Sequence, residues 1–117
     1  MAKVIMIISP LKSFRETLET LIQQGGYAIC PGIKDLGSFR HALNTSESSP
    51  NIILLDFWLS RSVMINFIRS LKQQGFTVIL MGNLFFGRAL ATTEEIGFLE
   101  KPFTSQELYE AINTATH

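Results

Sequence analysis

At 117 residues with ten Lys plus Arg against ten Asp plus Glu, the chain has room for one domain and no basic excess of the kind that grips a phosphate backbone. Charged residues make up only 17%, against a common share of about 25%, so the surface is poor in charge and suited to cover by a partner, while nucleic-acid binding is not expected. A single cysteine excludes an intrachain disulfide framework, and no apolar run approaches a membrane span, which points to a soluble cytoplasmic protein without a targeting signal.

Val4–Ile8 is the first strand candidate, an apolar run that ends in Ser9-Pro10. Leu11, Phe14, Leu18, Leu21 and Ile22 then recur at helical spacing, and Gly25-Gly26 offers a stop. Tyr27–Cys30 gives a second strand, with Cys30 as a small buried apolar residue. Asp35 can cap a second helix carrying Leu36, Phe39 and Leu43. His41 on that helix and His117 at the end have no metal-ligand company in sequence and are expected in solvent.

Ile52–Leu55 is a third strand, closed by Asp56. Met64, Phe67, Ile68 and Leu71 mark a third helix, stopped by Gly75. A fourth strand, Val78–Met81, leads into Gly82-Asn83 and the least clear stretch, where Leu84–Ala91 can make a short fourth helix without a clean apolar stripe. Phe98–Leu99 is the fifth strand, followed by Lys101-Pro102. Thr104-Ser105-Gln106-Glu107 has the form of a capping box opening a last helix with Leu108 and Ile112.

Five apolar runs rich in Ile, Val and Leu read as strands buried on both faces, and their alternation with helices implies a parallel sheet with helices on both sides. In such sheets ligands collect outside the carboxyl ends of the strands, which singles out Ser9-Pro10, Asp56, Gly82-Asn83 and Lys101-Pro102. No Gly-x-Ser-x-Gly elbow, phosphate-binding loop or paired catalytic carboxylate occurs, so an enzyme is not expected.

Over its whole length the chain resembles a response-regulator receiver domain, the phosphoacceptor module of two-component signalling. The likeness is carried by Pro50-Asn51-Ile52-Ile53-Leu54-Leu55-Asp56 and Gly97-Phe98-Leu99-Glu100-Lys101-Pro102-Phe103. It implies a flavodoxin-like (CheY-like) doubly wound five-stranded sheet forming one domain over 1–117, in which the fourth helix, on the reading of Leu84–Ala91 above, is short. It further implies Asp56 at the phosphoacceptor position, Lys101 at the phosphate contact, Phe98 at the aromatic switch, and a cis peptide before Pro102.

Against that pattern the acidic pair that binds Mg²⁺ in receivers falls on Ser9 and Pro10, and the switch hydroxyl falls on Gly82. Ser60 and Met64 stand where receivers have Pro and Gly. Mg²⁺ prefers near-octahedral oxygen ligation, and proline offers no side-chain oxygen. Asp56 with a backbone carbonyl, such as that of Trp58, is left as at most a weak metal site. One carboxylate and one ammonium can instead neutralise each other.

The resulting expectation is a degenerate receiver, or pseudo-receiver, in bacterial-type phosphorelay signalling that acts by protein–protein interaction, with phosphorylation lost or weakened and no cofactor. Partners would be a signalling protein, a histidine kinase or a phosphotransfer protein, with a homodimer through the face of the fourth helix, fifth strand and fifth helix. Two alternatives stay open: a receiver still phosphorylated on Asp56 with weak Mg²⁺ binding, and a small α/β ligand-binding domain using the Asp56/Lys101 pocket with Asn83. Phe85-Phe86 has two readings, burial under a short fourth helix or an interface patch, and burial is the expected one. Trp58 either shields the site or packs over the third helix.

Overall fold

The computed structural model describes residues 3–45 and 49–115; His117 lies outside them. Strands β1 (Val4–Ile8), β2 (Ala28–Ile29), β3 (Ile52–Asp56), β4 (Thr77–Gly82) and β5 (Gly97–Glu100) alternate with helices α1 (Lys12–Gln24), α2 (Phe39–Thr45), α3 (Arg61–Gln73), α4 (Phe86–Glu94) and α5 (Ser105–Thr114). All neighbouring strands pair in parallel, in the order β2-β1-β3-β4-β5. This is the doubly wound sheet expected from the alternation.

Period-two side-chain direction splits the strands between two cores. Met6, Ile8, Ile53, Leu55, Val78 and Leu80 pack with Phe39, Met64, Ile68, Leu71 and Leu90 on the α2–α4 side. Ile5, Ile7, Ile52, Leu54, Ile79 and Met81 pack with Leu18, Ile22, Leu108 and Ile112 on the α1/α5 side. Burial on both faces is why the strands read as continuous apolar runs. Met64, Ile68 and Leu71, spaced by four and three on α3, are fully buried, each contributing about 1.5–3 kcal/mol.

Helix ends follow their sequence signals. Gly26 (φ 89°) and Gly75 (φ 92°) take left-handed conformations just past α1 and α3. In each case two backbone N–H groups fold back on the last turn, Gly26 to Gln23 and Tyr27 to Ile22, Gly75 to Lys72 and Phe76 to Leu71. The capping box is complete: Thr104 Oγ1 accepts from the Glu107 N–H at 3.1 Å while Glu107 accepts from the Thr104 N–H at 2.9 Å.

Three details differ from the sequence reading. The second strand is limited to Ala28–Ile29, although the Cys30 N–H still donates to Ile5 O, because the next N–H in register, that of Gly32, donates to the Glu19 carboxylate and Ile33 reaches Ile7 O one residue late. Asp35 caps a 3₁₀ turn, Leu36–Ser38, that precedes α2, its carboxylate accepting from the Ser38 N–H at 2.8 Å. The fourth helix starts later than Leu84 and runs to Glu94, and it buries Gly87, Leu90, Ala91 and Glu94 rather than the Phe pair.

Candidate functional site

Strand register sets the site. Ile8 lies opposite Leu55, Asp56 opposite Met81, and Gly82 opposite Glu100, so Ser9, Asp56, Gly82 and Lys101 follow one another along the carboxyl edge. The connections leave β1 and β3 in opposite directions, the place where such sheets open a crevice. The Lys101 N–H donates to Gly82 O at 2.9 Å and the Ser9 N–H to Ile33 O at 3.0 Å, which prolongs the ladder past the strands.

Asp56 falls on the same side of β3 as Ile52 and Leu54, toward α1 and α5. Its side chain is 4% exposed, and both oxygens are engaged. Lys101 Nζ donates to Oδ1 at 2.5 Å and Ser9 Oγ donates to Oδ2 at 2.8 Å. The Ser9 hydroxyl also accepts from the Leu11 N–H at 3.3 Å, which serves the start of α1, a helix without a side-chain cap on its N-cap residue. Arg15 donates to Ser9 O at 2.7 Å, and the Lys101 ammonium lies 4.4 Å from the centre of the Phe14 ring. The Lys101–Pro102 peptide is cis.

Around this charge pair the other sequence candidates divide. Gly82 is buried, and a Cβ there would come within 3.2 Å of Phe57 Cβ, so the position is filled by that neighbour. Asn83 has a role of its own: its Oδ1 accepts from the Phe86 N–H at 2.8 Å and so caps α4. Phe98 is half-buried on the α2–α4 side, its ring lying where a Cβ on Gly87 would stand. Trp58 is half-buried against the same core. Pro10 is exposed and brings no polar side-chain atom.

Phe85 and Phe86 are 80% and 66% exposed, which overturns the expectation of burial. The physical reason is position along the helix: the Asn83 cap places Phe85 and Phe86 at the very start of α4, beyond the end of β4 at Gly82, and the face that packs on the core is supplied from Gly87 onward by Gly87, Leu90 and Ala91.

Mg²⁺ seeks several oxygen ligands. Here one carboxylate faces the crevice, with its oxygens held by an ammonium and a hydroxyl, beside a proline. That donor set does not fit the ion. Among the described residues no group of three or more His, Cys, Asp or Glu side chains gathers as metal ligands. Lys101 also borders an apolar groove of about 500 Å³ with Phe14, Thr17, Leu18, Leu21, Pro102 and Phe103.

A second polar cluster escaped the sequence. Glu94 of α4, 5% exposed at its side chain, accepts from Arg69 of α3 at 2.8 and 3.0 Å, and Lys72 donates to the Glu94 carbonyl at 2.5 Å. The Arg69 hydrogen bond, acting against burial, holds the Glu94 carboxyl below its ordinary range. The contact fastens the end of α4 to α3.

No known family model matches the chain, and no curated protein matches it. Solved structures do. NtrX from Brucella abortus is 20% identical with a TM-score of 0.79, over 98% of this chain and 27% of that one. A signal receiver domain of a modulated diguanylate cyclase from Desulfovibrio desulfuricans is 17% identical with a TM-score of 0.80, over 100% and 95%. The chemotaxis protein CheY4 of Vibrio cholerae is 15% identical with a TM-score of 0.74, over 98% and 99%. The chain thus spans about a quarter of NtrX and nearly all of the two others. It has the CheY-like flavodoxin fold of response-regulator receiver domains.

Proposed function

We propose that this chain is a receiver-shaped interaction module of bacterial-type two-component signalling, in which phosphoryl transfer to Asp56 is lost or strongly weakened. It works in the cytoplasm, is not an enzyme and needs no resident metal ion. Its partners are signalling proteins of the kinase or phosphotransfer type, or a second copy through α4, β5 and α5. Among the described residues no helix is long and apolar enough to cross a membrane.

The observation that supports this reading is the engagement of buried Asp56, each of whose oxygens accepts a hydrogen bond from the chain itself, Oδ1 from Lys101 and Oδ2 from Ser9 in the place of a metal-binding acid. Phosphoryl transfer depends on cations placed on the transferred oxygens, and a lone ammonium is a poor substitute for a divalent ion. Gly82 brings no hydroxyl to pull a phosphoryl group into a conformational change, and Asn83 is anchored by its Oδ1 at the start of α4. Trp58, two residues from Asp56, reports on the site: Mg²⁺ titration should leave its fluorescence unchanged, and a saturable change would count against the proposal. Asp56→Asn should likewise leave partner binding intact.

The competing reading, a receiver still phosphorylated on Asp56, draws on the same Lys101 standing at the carboxylate. It requires the Asp56–Lys101 contact to open when a phosphodonor arrives.

A further inference from the structure

Among the described residues the exposed large apolar side chains are Leu11, Val63, Leu84, Phe85 and Phe86. Every one lies just after β1, β3 or β4, in the connection or the first turn of the following helix. They therefore share the carboxyl edge of the sheet, and Leu84-Phe85-Phe86 is a contiguous patch. The patch is held outward, since Asn83 caps the Phe86 N–H and α4 buries Leu90 and Ala91 instead. Contiguous exposed aromatics of this kind mark interaction sites.

Charge distinguishes the same edge. The chain is neutral overall, yet the segments that follow the five strands (9–15, 30–35, 56–64, 83–89 and 101–107) hold six of its ten cations: Lys12, Arg15, Lys34, Arg61, Arg88 and Lys101. Within those segments the carboxylates are Asp35, Asp56 and Glu107, with Asp56 already paired with Lys101, while Glu19, which accepts from the Gly32 N–H, and Glu100, opposite Gly82, border the same edge. The first turns of α1, α3 and α4 contain no acid at all, although helix N-termini favour acidic residues and disfavour cations. A negatively charged partner would relieve that local conflict.

We infer that this edge docks an acidic segment of a partner protein, whose aromatic or aliphatic anchors meet Leu84, Phe85 and Phe86 while its carboxylates face Arg61, Arg88 and the other cations. The inference rests on the reading of the chain as an interaction module and names the surface and the partner's chemistry. A membrane surface fits less well, because lipid-binding basic clusters gather roughly 4–8 Lys or Arg in one run or helix face, and here the cations are spread over five connections.

The test is to pan a phage-displayed random peptide library on the immobilised full chain and to measure synthetic copies of the enriched peptides by fluorescence anisotropy. Enriched sequences should combine Asp or Glu with Phe, Trp or Leu. They should lose about tenfold or more in affinity on Phe85→Ser/Phe86→Ser, as expected of central aromatic anchors, and weaken with added salt. Both side chains are exposed, and circular dichroism verifies that the variant folds. Basic or neutral winners, or equal affinity for the variant, would overturn the inference, as would sedimentation with phosphatidylserine vesicles in the absence of peptide binding. An affinity that changes only after treatment with a phosphodonor would sink the phosphorylation-independent reading and still support the surface.

Discussion

Lys101 reaches across β4 to Asp56 on β3, its ammonium 2.5 Å from Oδ1, while the Ser9 hydroxyl holds Oδ2 from the other side at 2.8 Å. A buried carboxylate is thereby neutralised and hydrogen-bonded by the chain's own groups, without a divalent ion.

Breaking that contact from one side should be worse than removing it. Lys101→Met leaves the Asp56 carboxylate with Ser9 as a donor but without a countercharge, and should lower stability by about 2–3 kcal/mol, less than for a fully buried pair because Lys101 is about a third exposed. Adding Asp56→Asn should recover at least half of that loss in urea denaturation. Strict additivity of the two changes would show that the pair is not coupled.

Installing acids should change the site's response to metal. Ser9→Asp with Pro10→Asp places new carboxylates beside Asp56, so the variant should melt lower than the parent without Mg²⁺ and be raised by millimolar Mg²⁺. The parent's Tm should not respond. A Mg²⁺-dependent Tm in the parent would contradict the poor fit of its donor set.

Glu94 predicts a limb of acid sensitivity. Its carboxyl is held below the ordinary range, chiefly by the Arg69 hydrogen bond, so its contribution is present above the unfolded glutamate value of about 4.3 and is lost as pH falls through the lower folded value. Glu94→Gln should lower Tm at neutral pH by roughly 4–8 °C and flatten the acid limb. Some slope should remain, because Asp35 is also lowered, first by its side-chain hydrogen bond from Ser38. An unchanged pH profile would remove Glu94 from the explanation.

α4 ends on Glu95 in the left-handed region (φ 57°), with Ile96 N–H returned to Ala91 O at 3.0 Å, the role that Gly26 and Gly75 play elsewhere. Relief of that Cβ strain by Glu95→Gly should stabilise the fold by about 1 kcal/mol. Thermal denaturation decides it: a lower Tm would mean that Glu95 makes a compensating contact.

Much of this was legible because the signals are local. Apolar runs buried on both faces, Gly26 and Gly75 past their helices, and the Thr104–Glu107 box each depend on neighbours within a few residues. The meeting of Asp56 and Lys101 was readable because parallel strands bring their carboxyl ends to one edge. The Arg69–Glu94 clamp was not, since it joins residues of two helices whose relative placement only packing sets. Phe85-Phe86 reads as buried on apolarity, but the Asn83 cap fixes where α4 begins, and both rings fall at its first residues, beyond the end of β4, in solvent. Ser9 reads in sequence as a lost ligand, and its hydrogen bond to Asp56 joins residues 47 apart that only the strand pairing brings together.

Incubation with a small-molecule phosphodonor and Mg²⁺, followed by intact-mass spectrometry with Asp56→Asn as control, addresses the closed carboxylate itself. The folded parent should show no added phosphoryl mass, in keeping with an Asp56 held by Lys101 and Ser9. One phosphoryl adduct, absent from the Asp56→Asn variant, would contradict this and establish Asp56 as a working acceptor.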